Sequence, residues 1–233
     1  MTFDDHLPGY RGTLSRNAVT IAEVLKESGY ATSMVGKWHI AETPLRKDQR
    51  EWLAHHVYHA TYSDLCHYPV NRGFDTHYGT IYGVVDYFDP FSLVEGEVPV
   101  KEVPDGYYIT QALSDRAVKE VKEYAKDDKP FFMYLAYTAP HWPLHALPED
   151  IGKYKDTYKV GWEAIRNARY ERQKQLGIFP GMDNFLSERQ FHDKWEDNPH
   201  AEWDARAMAV HAAMIDRVDP VSYTHLTLPT TER

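Results

Sequence analysis

The sequence predicts an α/β fold, and three observations predict it. A capped amphipathic helix closes at Gly29 and is followed at once by an apolar stretch, Tyr30 to Val35. A second helix stops at Asp127-Asp128-Lys129-Pro130 and is followed by another apolar stretch, Phe131 to Tyr137. Each stretch then runs into a loop where His lies beside Trp: Trp38-His39 and His141-Trp142. Helices alternating with buried strands form layered α/β domains. Two such strands lying parallel in one sheet send their following loops to the same edge, where ligands bind.

The first helix is set by Thr20-Ile21-Ala22-Glu23. This is a capping box, in which the Thr20 hydroxyl takes the Glu23 N–H and Glu23 reaches back to Thr20. Val19 and Val24 are expected to staple its start, and Ile21, Val24, Leu25 and Ser28 share one face. Gly29 is a left-handed cap. Before this helix, Pro8-Gly9 and Arg11-Gly12 mark turns.

Residues 40–80 show no periodicity and are expected to form an exposed polar insertion. They hold His55, His56, His59, His67 and His77. His55 and His59, at i and i+4, could share a metal on a helix, but no acidic or Cys partner sits at a matching offset. Asn71-Arg72-Gly73-Phe74-Asp75 marks a turn back into order. Val94 to Val103 is expected to form a small hairpin. Thr110 is expected to cap the second helix, with Leu113, Ala117, Val121 and Tyr124 as its buried stripe. The run Phe131–Tyr137 suits a strand buried on both faces. Further on, Trp162 to Leu176 reads as a helix closed by Gly177. Residues 181–198 read as loop. Glu202 to Asp219 reads as a helix that breaks at Pro220, beyond which the composition changes abruptly.

Composition narrows the function classes. The chain has 233 residues, enough for one sizeable domain or part of a larger one. A net charge of −9 argues against a nucleic-acid or anionic-membrane surface. Cys66 is the only cysteine, which rules out a disulfide framework and a Cys-rich zinc site. No apolar run reaches the ~18 residues of a membrane span. Met1 to His6 form neither a signal nor a transit peptide.

Against this acidic background Lys37, His39 and His141 are the candidate site. Lys37 offers a full positive charge and three donors to an oxyanion. His39 can act as acid or base near neutral pH. His141 stands between Pro140 and Pro143, which restrict the backbone around a proton donor. Each residue alone is as well explained by a solvated lysine or a structural histidine. Cys66 is followed by His67, but neighbours along a loop rarely face each other, so Cys66 is read as incidental. Ser15-Arg16 is read as an ordinary loop pair.

The passage from Asn17 to His39, ending in Gly36-Lys37-Trp38-His39, resembles the signature of type I sulfatases of the alkaline phosphatase-like superfamily. Asn71-Arg72-Gly73-Phe74-Asp75, Lys129-Pro130-Phe131-Phe132 and Ala139-Pro140-His141-Trp142-Pro143-Leu144 agree with it. Tyr170 to Gly177 and Met208 to Asp216 resemble its bacterial arylsulfatase branch. The resemblance covers roughly residues 8–219 and implies a three-layer sandwich with a mixed, largely parallel sheet flanked by helices. It implies hydrolysis of small-molecule or carbohydrate sulfate esters through a formylglycine nucleophile held by Ca2+. A formylglycine-generating or maturase enzyme would be a partner. Lys37 would contact the sulfate, His39 would hydrogen-bond the nucleophile, and His141 would contact the ester oxygen and protonate the leaving alcohol or phenol.

The expected Cys/Ser-x-Pro-Ser-Arg motif is missing; Gly12-Thr13-Leu14-Ser15-Arg16 has Gly and Leu where the motif needs a nucleophile and Pro. Asp4-Asp5 is not matched to the family's metal pair, and no metal ligands are identified. Residues 1–219 are thus expected to be a partial, inactive catalytic domain, and 220–233 a tail of adapter or vector origin. The full-length protein would fit the periplasm or secretion. Two alternatives use the same residues: a phosphonate or phosphate monoester hydrolase, and a non-catalytic anion-binding relative.

Overall fold

A computed structural model describes residues 12–41, 62–83, 85–179, 186–187 and 194–224, with 220–224 by backbone alone. The chain divides into two compact units, one of Met1–His145 with Arg217–Arg233 and one of Ala146–Asp216.

The first unit is built on a five-stranded sheet. Its strands are β1 (Ala31–Gly36), β2 (Thr76–Thr80), β3 (Leu93–Glu95), β4 (Val98–Pro99) and β5 (Phe131–Ala136), in the order β4-β3-β2-β1-β5. β1 runs parallel to both β5 and β2, with Gly36 opposite Ala136 and Val35 opposite Tyr78. β3 and β4 add an antiparallel hairpin. The sheet is therefore mixed, with three parallel strands, β2, β1 and β5, on one side and the antiparallel hairpin on the other.

Helices α1 (Ile21–Glu27) and α2 (Ile109–Tyr124) cover opposite faces. Successive strand residues point to opposite sides. Met34 packs with Ala22 of α1, while its neighbour Ser33 hydrogen-bonds Glu120 of α2. The core on the α1 face gathers Met34, Trp38, Tyr62, Tyr68, Phe74, Ile81 and Val94. The α2 stripe is buried at Leu113, Ala117 and Val121, and Tyr124 stacks on Phe131.

Several expectations are corrected. The capping box of α1 is present, but its apolar stripe is not the buried one: Val19, Ile21 and Val24 are 70%, 62% and 51% exposed. The helix is held instead through its backbone and polar groups. A Cβ on Gly73 would lie 2.3 Å from the Glu23 nitrogen, and the Thr20 hydroxyl donates to the Arg72 carbonyl at 2.8 Å. Thr110 does not cap α2, because the helix begins at Ile109, whose N–H is satisfied by the Tyr87 carbonyl at 2.8 Å. β5 is only half-buried, with Tyr134 47% exposed, because it is the edge strand among the described residues. Residues 62–80 are no exposed insertion. They hold two 3-10 turns (Leu65–His67 and Pro69–Asn71) and β2, with His77 buried in the sheet. His55, His56 and His59 lie outside the described residues.

In the second unit, α3 (Pro148–Lys153) and α4 (Trp162–Gln175) precede α5 (Ala201–Thr224), which continues into the first unit's segment. Lys153 bridges Asp150 and Asp216 at 3.0 and 2.6 Å. Trp162 meets Trp195 edge-on, with centroids 4.7 Å apart. α5 does not break at Pro220; its backbone runs on to Thr224. Proline fixes φ in the helical range and forgoes one hydrogen bond, a cost a long helix can absorb. Among the described residues no helix is long and apolar enough to cross a membrane.

Candidate active site

The site begins where the parallel strands end. Gly36 has φ +125°, and a Cβ there would lie 1.9 Å from the Ala136 oxygen. A Cβ on Gly79 would lie 1.8 Å from the Gly36 oxygen. The row Ala136–Gly36–Gly79 thus has no room for larger side chains, and the backbones close up at the sheet edge. From this pinch the chain is held alternately by both neighbours. Lys37 N–H donates to Ala136 at 2.8 Å, Trp38 N–H to Thr80 at 2.9 Å, and His39 N–H to Ile81 at 3.1 Å.

Trp38 is turned into the core. Its Nε1–H donates to the His67 carbonyl at 2.8 Å, and its ring meets Phe74 edge-on at 6.1 Å. Its neighbours Lys37 and His39 stay half-buried. His39 has φ +65°, a left-handed conformation that side chains other than glycine seldom adopt. Its ring lies over Gly83, where a Cβ would come within 2.3 Å of Nε2.

His141 arrives from the adjacent strand. After β5 its N–H donates to the Thr138 carbonyl at 3.0 Å, and its own carbonyl accepts the Tyr87 hydroxyl at 2.8 Å. The loop around it contains cis peptides at Ala139-Pro140 and Trp142-Pro143.

The electrostatics tie these groups together. Burial lowers the pKa of Lys37. Burial, then the charge of Lys37 and that of His141, lowers the pKa of His39. His39 therefore lies within electrostatic reach of both Lys37, on its own loop, and His141, on the loop after the adjacent parallel strand. The lowered pKa favours the neutral imidazole of His39, and a bound anion would relieve the repulsion. This is a nitrogen-rich, anion-seeking cluster with groups able to take or give a proton.

It does not fit a hard cation. Ca2+ takes oxygen ligands, largely carboxylates and carbonyls. Among the described residues, no group of three or more His, Cys, Asp or Glu side chains could hold a metal ion. Cys66 is a free, half-buried cysteine whose backbone N–H donates to the Asp64 carboxylate.

A family model for sulfatases matches residues 4–221. The chain belongs to the sulfatase family. It is 30% identical to an arylsulfatase of Klebsiella aerogenes over 215 residues, covering 91% of this chain and 43% of that protein. It is 29% identical to an uncharacterized sulfatase of Schizosaccharomyces pombe over 232 residues, covering 91% of this chain and 38% of that one. Among solved structures, a Bacteroides fragilis protein titled as the sulfatase YidJ matches with a TM-score of 0.55 at 16% identity, over 90% of this chain and 39% of that one. That likeness shows the fold, a mixed sheet flanked by helices. This sulfatase chain spans well under half the length of those relatives.

Three residues escaped the sequence reading: Gly79 in β2, and Gly83 and Tyr87 in the segment that follows it. β2 is hidden by its polar His77 and its glycine. The β-favouring run Thr76, Tyr78, Thr80, Ile81 and Tyr82 was the available signal.

Proposed function

We propose that the protein containing this chain hydrolyses sulfate esters, and that Lys37, His39 and His141 form one wall of its active site. The observation that carries this reading is that they follow the ends of two adjacent parallel strands, with His39 within electrostatic reach of both Lys37 and His141. Lys37 would hold the sulfate oxygens and offset their charge as the S–O bond breaks. His39, kept neutral, would hydrogen-bond the nucleophile. His141 would protonate the departing oxygen.

Aryl or carbohydrate sulfates are the proposed substrates. The family resemblance supports a formylglycine nucleophile, made by a maturation enzyme, and Ca2+. Both would be supplied from outside the described residues. The 233-residue chain alone would be inactive.

The test is a comparison of sulfate, phosphate and phosphonate esters on the full-length protein and on its Lys37→Ala, His39→Ala and His141→Ala variants. The reading requires sulfate esters to have the highest kcat/KM and each variant to lose about 100-fold or more. A preference for phosphonates would move the assignment within the superfamily. No hydrolysis with tight sulfate binding would make the protein an anion binder. Turnover by the isolated chain would overturn its predicted inactivity.

A further inference from the structure

We infer that Tyr87 is a positioning residue for His141: its buried hydroxyl grips the His141 carbonyl and presents Nε2 of that histidine to the leaving oxygen. This rests on the sulfate-ester reading above.

Tyr87 is fully buried, and its hydroxyl donates to the His141 oxygen at 2.8 Å. A buried hydroxyl or carbonyl left without a partner is costly, so this bond fixes where the His141 backbone can sit. Tyr87 is itself fixed on three sides. Its N–H donates to His145 Nδ1 at 3.4 Å, its carbonyl accepts the Ile109 N–H at 2.8 Å, and its ring stacks on Tyr108 at 6.0 Å. Tyr108 in turn donates its hydroxyl to the His145 carbonyl at 3.0 Å. Tyr87, in the segment after β2, and Tyr108, at the start of α2, therefore hold the loop at both ends, Tyr87 at His141 and Tyr108 at His145.

The loop then sets the tautomer. His141 Nδ1 lies 2.6 Å from the Trp142 carbonyl oxygen. A carbonyl can only accept, so Nδ1 carries the hydrogen and Nε2 is the nitrogen left for chemistry. In the protonated imidazole, Nε2–H is the proton donor. As the S–O bond breaks, its electron pair goes to the ester oxygen, which takes the Nε2 proton. The sulfuryl group passes to the attacking oxygen nucleophile. The neutral imidazole remains, with Nδ1–H still on Trp142. Tyr87 touches none of the reacting atoms. It acts by keeping the Trp142 bond and the Nε2 direction in register, and small misplacements of a proton donor cost large factors in rate.

Proton donation matters most when the leaving group is poor, which gives a readout that a merely structural role would not move. In the full-length protein, kcat/KM is measured for 4-nitrophenyl sulfate, phenyl sulfate and a sugar sulfate. Tyr87→Phe is expected to lower the sugar sulfate by about 10-fold or more and 4-nitrophenyl sulfate by less than about threefold, since general acid catalysis contributes on the order of 100-fold or more only where a proton is needed. In a His141→Ala background the same change should have no further effect. Equal losses on all three substrates, or a full loss on top of His141→Ala, would overturn the inference. Should Tyr87→Phe destabilise the fold, para-fluorophenylalanine at 87 fills the hydroxyl's place without donating and gives the same comparison. A second measurement is independent of the sulfatase reading. Imidazole 15N shifts, assigned with His141→Ala, should show the Nδ1–H form of His141 in the parent protein and a mixture in Tyr87→Phe. An unchanged tautomer in that variant would sink the positioning role even if the protein proved to cleave another ester.

Discussion

The His39 imidazole lies against the Cα of Gly83, so closely that a Cβ at 83 would fall 2.3 Å from Nε2. Gly83 is the seat of this ring. The peptide bonds from Lys37 to His39 are pinned to β5 and the β2 segment, so the backbone cannot retreat. Gly83→Ala should therefore displace the ring rather than the chain. We expect kcat/KM for sulfate esters to fall by about 10-fold or more, since a misplaced group costs on this scale. The unfolding midpoint should change little. An unaltered kcat/KM would show that the ring has room to turn aside.

Lys37 lies beside His39 and lowers its pKa, second only to burial. Lys37→Met should raise KM for sulfate esters and weaken inhibition by free sulfate by about 10- to 100-fold, the worth of a charged hydrogen bond. It should also move the acid limb of the pH–rate profile. Removing a positive neighbour makes the imidazole easier to protonate, so the limb set by His39 shifts to higher pH. A limb that stays in place, measured as kcat/KM against pH, would separate the two residues. Lys37→Arg should not restore the parent values, because a planar fork does not replace a compact ammonium.

Arg72 is almost completely buried and gathers the start of the fold. It donates to the carbonyls of Leu14 at 2.9 Å and Ala18 at 2.8 Å and pairs with Glu23 at 3.2 Å. Arg72→Leu leaves those carbonyls without their donor. We expect a loss of roughly 2–4 kcal/mol, mainly the cost of leaving those carbonyls without a donor, since Glu23 is partly exposed. Urea denaturation of the full-length protein checks it. A loss under ~1 kcal/mol would mean that the 14–18 segment is held by other contacts.

His77 provides a pH test of the sheet. Burial pushes its pKa down to about 4, and its Nε2–H faces the Gly36 carbonyl at 3.2 Å. Its Nδ1 is buried with no partner among the described residues. The folded pKa is depressed, so between the ordinary value of about 6.5 and 4 the unfolded chain binds a proton that the folded one does not. Stability is intact above pH ~6.5 and falls as pH drops through this window, by about 2–3 kcal/mol at pH 4.5. His77→Gln should flatten that part of the stability–pH curve. Parallel curves for parent and variant would refute the assignment.

The sequence by itself determined the two helix–strand units, the cap at Thr20, the loops carrying Lys37, His39 and His141, and the sulfatase family. These are local signals: a capping box, apolar runs between breakers, and a contiguous motif. Only the tertiary structure decided which apolar residues are buried, because burial depends on what packs against an element. Val19, Ile21 and Val24 have the right spacing for a core face, yet the backbone of Gly73 and the Arg72 network occupy another side of α1. The tertiary structure alone also found β2, whose His77 and Gly79 obscure its alternation. With β2 came Gly83 beneath His39 and Tyr87 behind His141. Those contacts join residues more than 40 positions apart, and no spacing in the sequence records which distant side chain will supply the wall behind a histidine.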